Sequence, residues 1–73
     1  MPKYPVLKPQ ELIKAISKIG FEFKSQSGSH AKYKKGNTLI IIPMHKDINP
    51  FTLKDMMKQA NIGYNELIKL LKE

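Results

Sequence analysis

No cysteine occurs in the 73 residues. That removes disulfide staples and thiolate metal sites, and it fits a chain that folds in a reducing interior. Arginine is missing too: all thirteen basic residues are lysines. Readout of base edges leans on the planar fork of a guanidinium, whereas lysine acts as a point donor. Any nucleic-acid partner is therefore expected to be held by its phosphates, with weak base preference. Long apolar runs are also lacking. The longest is Leu39-Ile40-Ile41-Ile42, far short of a membrane span. Met1-Pro2-Lys3-Tyr4-Pro5 carries no apolar run behind its charge, so no signal peptide is expected. Neither repeats nor low-complexity tracts nor interior linkers break the chain, and a single domain over residues 1–73 is the expectation.

What is present in excess is positive charge. Six acidic residues against thirteen lysines leave +7 and a pI near 9.8. On so small a body this field concentrates polyanions, of which phosphate backbones are the commonest in a cell. The alternative is that the lysines serve only solubility. The apolar fraction of 41% suffices for one sheet backed by helices and not for two cores.

Residues 1–8 read as a loosely held lead-in. Pro9 suits the first turn of a helix, and Leu12, Ile13, Ile16 and Ile19 form one apolar stripe, so a helix is expected over 9–19 with Gly20 as its left-handed stop. The period then changes to two. Phe21 and Phe23 alternate with Glu22 and Lys24, which directs the phenylalanines to the core and the charges outward. Ser25-Gln26-Ser27-Gly28 carries turn signals. A second strand places His30, Lys32 and Lys34 on one face, with Ala31 and Tyr33 on the other. Gly36-Asn37 is a hairpin turn into a β-branched strand, Thr38–Ile42, that Pro43 ends. After a loop over 44–51, Thr52 is the expected N-cap of a helix over 53–60, with Asp55 near its positive end and Asn61 in the left-handed cap position. Gly63 opens a short last helix carrying Tyr64, Leu67, Ile68 and Leu71 on one side. Met56, Met57 and the aromatic residues are assigned to the core. The order predicts an α+β fold, a three-stranded antiparallel sheet with helices packed on one face and the other face bare.

Parity assigns the bare face. If Phe21, Phe23, Ala31 and Tyr33 meet the helices, then His30, Lys32 and Lys34 meet solvent. The opposite register would bury two unpaired ammonium groups, which is too costly to stand. A histidine beside a row of lysines on an open face has the chemistry to cut RNA, since imidazole exchanges protons near neutral pH and lysines stabilise charge on phosphate oxygens. RNA brings its own nucleophile, the 2′-hydroxyl, so no metal or other cofactor is required. Two histidines without cysteine make a poor metal site unless carboxylates such as Asp47 complete it. His45, in Pro43-Met44-His45, reads either as a second proton-transfer group or as a loop histidine capping a backbone carbonyl. A structural turn histidine is likewise the alternative for His30.

The same residues carry a family resemblance. Ile19-Gly20-Phe21, Gly28-Ser29-His30 followed by Tyr33, Pro43-Met44-His45, Thr52-Leu53 and Lys58-Gln59-Ala60-Asn61-Ile62 stand in the order found in the HicA toxins of HicA–HicB toxin–antitoxin systems, which this sequence resembles over nearly its whole length beyond the lead-in. The resemblance implies a fold like the double-stranded RNA-binding domain, α-β-β-β-α plus a short C-terminal helix. It implies a cytoplasmic endoribonuclease that cleaves mRNA, and a HicB-like antitoxin that covers the active face. The family's catalytic histidine falls on His30, the second histidine on His45, and RNA contacts are expected at Lys24, Ser29, Lys32 and Lys34. Two residues depart from the family pattern, Phe51 and Asn61, both where glycine is usual. Asparagine tolerates the same backbone conformation. Phe51 would either alter the loop near His45 or pack on the edge of the core. The competing readings are a module that binds RNA without cutting it, and an inactive relative that serves only as an antitoxin's partner.

Overall fold

The computed structural model describes residues 3–72. Helix α1 spans Pro9–Ser17, strands β1, β2 and β3 span Glu22–Ser27, His30–Lys35 and Thr38–Pro43, and helices α2 and α3 span Pro50–Ala60 and Tyr64–Lys72. The strands form an antiparallel sheet in the order β1-β2-β3. This is the predicted α+β arrangement.

The starts of α1 and α2 have local causes. Pro9 opens α1, and the Glu11 carboxylate reaches back to accept the Lys8 backbone N–H at 2.9 Å, which satisfies a donor that the helix ladder leaves free. The helix ends at Ser17, two residues sooner than expected, in a turn closed by Gly20 at φ +103° and by the Phe21 N–H on the Ile16 carbonyl at 3.2 Å. Helix α2 starts earlier than the sequence reading placed it. Its N-cap is Asn49 rather than Thr52: the Asn49 side chain accepts the Thr52 N–H at 2.8 Å. Pro50 then occupies the first helical position, as Pro9 does in α1. Thr52 thus donates to a cap instead of being one, and Asp55 falls beyond the first turn. Asn61 closes α2 in the left-handed conformation, φ 59° and ψ 40°, as expected.

The core lies on one side of the sheet. Leu12 and Ile16 of α1, Leu53 and Met57 of α2 and Leu67 of α3 meet Ile40 and Ile42 of β3 and the loop residue Ile48, all fully buried. Met56 is buried as well. Helix α3 packs against α1, where the Lys18 ammonium donates to the Leu70 carbonyl at 2.9 Å, a cation on the C-terminal end of the helix dipole. The described part of the lead-in, expected to be loosely held, is anchored at Leu7 and Tyr4. Leu7 is buried and exchanges backbone bonds with Ile48 at 3.2 and 2.7 Å, and Tyr4 sets its ring edge-on to Tyr64.

Strand β1 departs from the reading in two ways. Phe23 lies opposite Tyr33, on the helix side as predicted, yet it is 57% exposed because no helix extends over this edge strand. Its ring packs edge-on against Tyr33 at 5.7 Å instead of entering the core. Second, the register shifts between Phe23 and Ser25, leaving Lys24 as an extra, bulged residue. Ser25, Gln26 and Ser27 are strand residues rather than turn residues, and the turn proper is Gly28-Ser29.

The sheet's two faces differ residue by residue along β3, where Ile40 and Ile42 are buried while Leu39 and Ile41 are open. Ile40→Ala is expected to lower unfolding free energy by about 2–5 kcal/mol, whereas Ile41→Ala should change it by roughly 0.5 kcal/mol. Urea melts of the two variants check this; equal losses would contradict the assignment of faces.

Candidate active site

Strand β2 carries the predicted alternation. Ala31 is 1% exposed and Tyr33 is half-buried against the core, while His30 and Lys34 are exposed and Lys32 is half-buried. Lys32 lies between Ser25 and Ile41 of the flanking strands. Its methylene stem therefore covers apolar surface while the ammonium group stays in water. The open face reads Glu22, Ser25 and Ser27 on β1, His30, Lys32 and Lys34 on β2, and Leu39, Ile41 and Pro43 on β3.

The turn before His30 is built from the Gly28-Ser29 pair. Ser27 and His30 are paired across it, and Gly28 takes φ +59° at the first central position while Ser29 keeps a negative φ, as in a II′-type hairpin. Ser29 has a second function. Its carbonyl accepts the Met44 N–H at 2.6 Å, one step beyond the His30–Pro43 pair. This bond ties the loop after β3 to the turn before β2. His45, the next residue along that loop, thereby comes to the same end of the sheet as His30. The two rings are 6.1 Å apart between centroids and inclined at 64°, both exposed.

The lysines divide between two places. Lys32 is two residues from His30 on the same face, about 7 Å along the strand. Lys34 is four residues away, about 13 Å, and with Lys24, Lys35 and Glu22 it lines a depression beside the Gly36 turn, at the far end of the hairpin. Lys24 and Lys34 are thus brought together, though not at the histidines. Sequence reasoning missed Ser25 and Ser27. The bulge at Lys24 turns them onto the open face, opposite Lys32 and His30, where unbroken alternation would point them to the helix side. It also passed over the apolar pair Leu39 and Ile41, legible only as part of an apolar run. Among the described residues, no three histidine, cysteine or acidic side chains gather in a cluster able to hold a metal ion.

A family model described as HicA toxin of bacterial toxin-antitoxin matches residues 9–62, from the first residue of α1 to just past the α2 cap. The chain belongs to the HicA toxin family. Its partner is accordingly an antitoxin. The match contains the whole sheet and both histidines, and α3 lies beyond it. No curated protein matches the chain. Phe51, one of the two departures from the HicA pattern, is in the first turn of α2 and is 85% exposed, so it packs on no core edge. No described helix is long and apolar enough to cross a membrane.

A Cβ built on Gly28 meets nothing within 4 Å, so a side chain there is opposed by backbone conformation alone. Gly28→Ala is expected to cost about 1–2 kcal/mol and to displace both histidine ring resonances in proton–nitrogen spectra. Stability and resonances that stay as in the parent would show that this turn does not set the pair.

Proposed function

We propose that this HicA-family toxin is a metal-independent endoribonuclease that cleaves mRNA, with His30 as its catalytic residue and His45 as the second proton-transfer group. The observation that carries the reading is the pairing of two exposed imidazoles at the end of a basic sheet face, 6.1 Å between ring centroids. In-line cleavage of RNA needs two proton movements around one phosphate. One imidazole takes the proton of the 2′-hydroxyl as its oxygen attacks the adjacent phosphorus. The other, protonated, gives a proton to the departing 5′-oxygen. A 2′,3′-cyclic phosphate and a 5′-hydroxyl result, and no redox partner or metal enters the balance. Lys32, about 7 Å along the strand, supplies positive charge toward the phosphate oxygens. Ser29 sets the turn, and Lys24 and Lys34 hold the strand of RNA further along the sheet.

The double-stranded-RNA-binding-domain-like order of elements and the +7 charge support binding of RNA by shape and phosphate contact. A HicB-like antitoxin would cover this face, whose lysines call for acidic residues and whose Leu39 and Ile41 offer apolar contact. A substrate that is messenger RNA places the protein in the cytoplasm.

His30→Ala is expected to abolish cleavage of a mixed RNA substrate and growth inhibition, with RNA affinity within about twofold of the parent. His45→Ala should slow cleavage by about 10²–10⁴-fold, the usual worth of one positioned acid or base. Cleavage should persist in excess chelator. An alanine variant at position 30 that cuts at the parent rate sinks the assignment. A parent protein that binds RNA and leaves it whole favours the non-cleaving binding module instead.

A further inference from the structure

Among the described residues Phe51 is the most exposed of the large apolar side chains, 85% open, and it protrudes from the first turn of α2 behind Pro50. The other described phenylalanines have ring neighbours or burial: Phe21 is in the core and Phe23 leans on Tyr33. Phe51 instead forms one wall of a depression of about 270 Å³ completed by Lys3, Tyr4, Pro50 and Lys54. Every charged residue lining it is a lysine. An aromatic face beside two ammonium groups, with no carboxylate among the lining residues, is the combination that receives a nucleobase together with its phosphate. A protein partner held by this cleft would need both acid and an apolar anchor; a nucleotide supplies the anion and the flat apolar surface in one unit.

Phe51 is six positions along the chain from His45, and a segment of that length spans at most about 20 Å. A few nucleotides of single strand cover this distance.

We infer that Phe51 is a stacking platform for an unpaired base of the RNA substrate, with Lys54 and Lys3 holding the neighbouring phosphates. The inference rests on the proposed RNA cleavage and narrows its substrate to RNA that is single-stranded beside the scissile bond, since a base within a duplex has no free face to offer. Phe51 is a positioning residue in this scheme and takes no part in proton transfer.

The test uses a short single-stranded RNA with 2′-O-methyl riboses, which binds and cannot be cut, and a duplex of the same sequence. Phe51→Ala should weaken the single strand about ten- to hundredfold and leave duplex affinity unchanged; Phe51→Tyr should restore single-strand binding. The chain contains no tryptophan, so Phe51→Trp gives a single indole, whose emission, excited beyond the tyrosine absorption band, should be quenched by the single strand. Because Phe51 contributes nothing to the core, these variants should fold as the parent does, which circular dichroism checks. Single-strand affinity within twofold for Phe51→Ala, equal losses for single strand and duplex, or unquenched emission at saturation would each overturn the inference. The two proposals fail separately. Phe51-dependent binding by a protein that leaves unmodified RNA intact removes the nuclease reading alone, and cleavage indifferent to Phe51 removes only the stacking platform.

Discussion

An ammonium group cannot be buried without a partner, and this rule, applied to one strand, orders the rest of the protein. Strand β2 alternates His30, Lys32 and Lys34 with Ala31 and Tyr33, so helices can be seated on only one of its faces. Three helices crowd onto that face, and Ile40 and Ile42 of β3 join them because antiparallel pairing puts Ile42 opposite Ala31 and Ile40 opposite Tyr33. The other face stays open along its length. A surface with histidine, lysine and hydroxyl groups in fixed register is therefore a by-product of where the core must go. No additional loop is needed to display it.

Register alone does not bring a second imidazole to the first. That depends on two short-range devices at one end of the sheet. Gly28 allows a two-residue turn, so His30 begins its strand with no slack. The Ser29 carbonyl then holds the Met44 N–H, carrying the ladder one pair past Pro43. The loop leaving β3 is thereby pinned over the hairpin turn, and the residue that follows the pinned one is His45. Gly28-Ser29-His30 and Pro43-Met44-His45 lie far apart in the chain; the end of the β2–β3 ladder and the Ser29–Met44 hydrogen bond beyond it join them.

Much of this was legible in the sequence. The helix stripes, the Gly36-Asn37 turn, the left-handed Asn61 and the placement of His30, Lys32 and Lys34 on the open face all follow from periods and from residue preferences that act locally. What was illegible depends on tertiary context. Ser25-Gln26-Ser27 has turn composition but lies in a strand, because pairing with β2 overrides weak local preference. The bulge at Lys24 leaves no mark in composition, yet it inverts the parity of the residues after it. Phe23 was placed on the correct side and wrongly buried, since alternation tells which face a residue takes and not whether a helix reaches over it. At α2 the start was placed too late: Asn49 and Pro50 were assigned to the loop over 44–51, although Pro50 repeats at α2 the first-turn proline that marks α1 at Pro9.

The open face also carries a cost that bears on function. Leu39 and Ile41 stand on it beside Lys32 and Lys34, although the sheet would be more stable with that apolar surface removed from water. A purely structural optimum would replace them with threonine, or cover them with a further helix. Their presence next to a lysine row gives the face two kinds of recognition at once: charge that any phosphate backbone satisfies, and apolar area that a phosphate backbone leaves uncovered. On the reading proposed above, the antitoxin that the HicA family implies is a ligand of the second kind. On the proposed reading, RNA and antitoxin overlap on the lysines and differ at Leu39 and Ile41, so substitutions at those two positions separate inhibition from catalysis where substitutions of the lysines cannot.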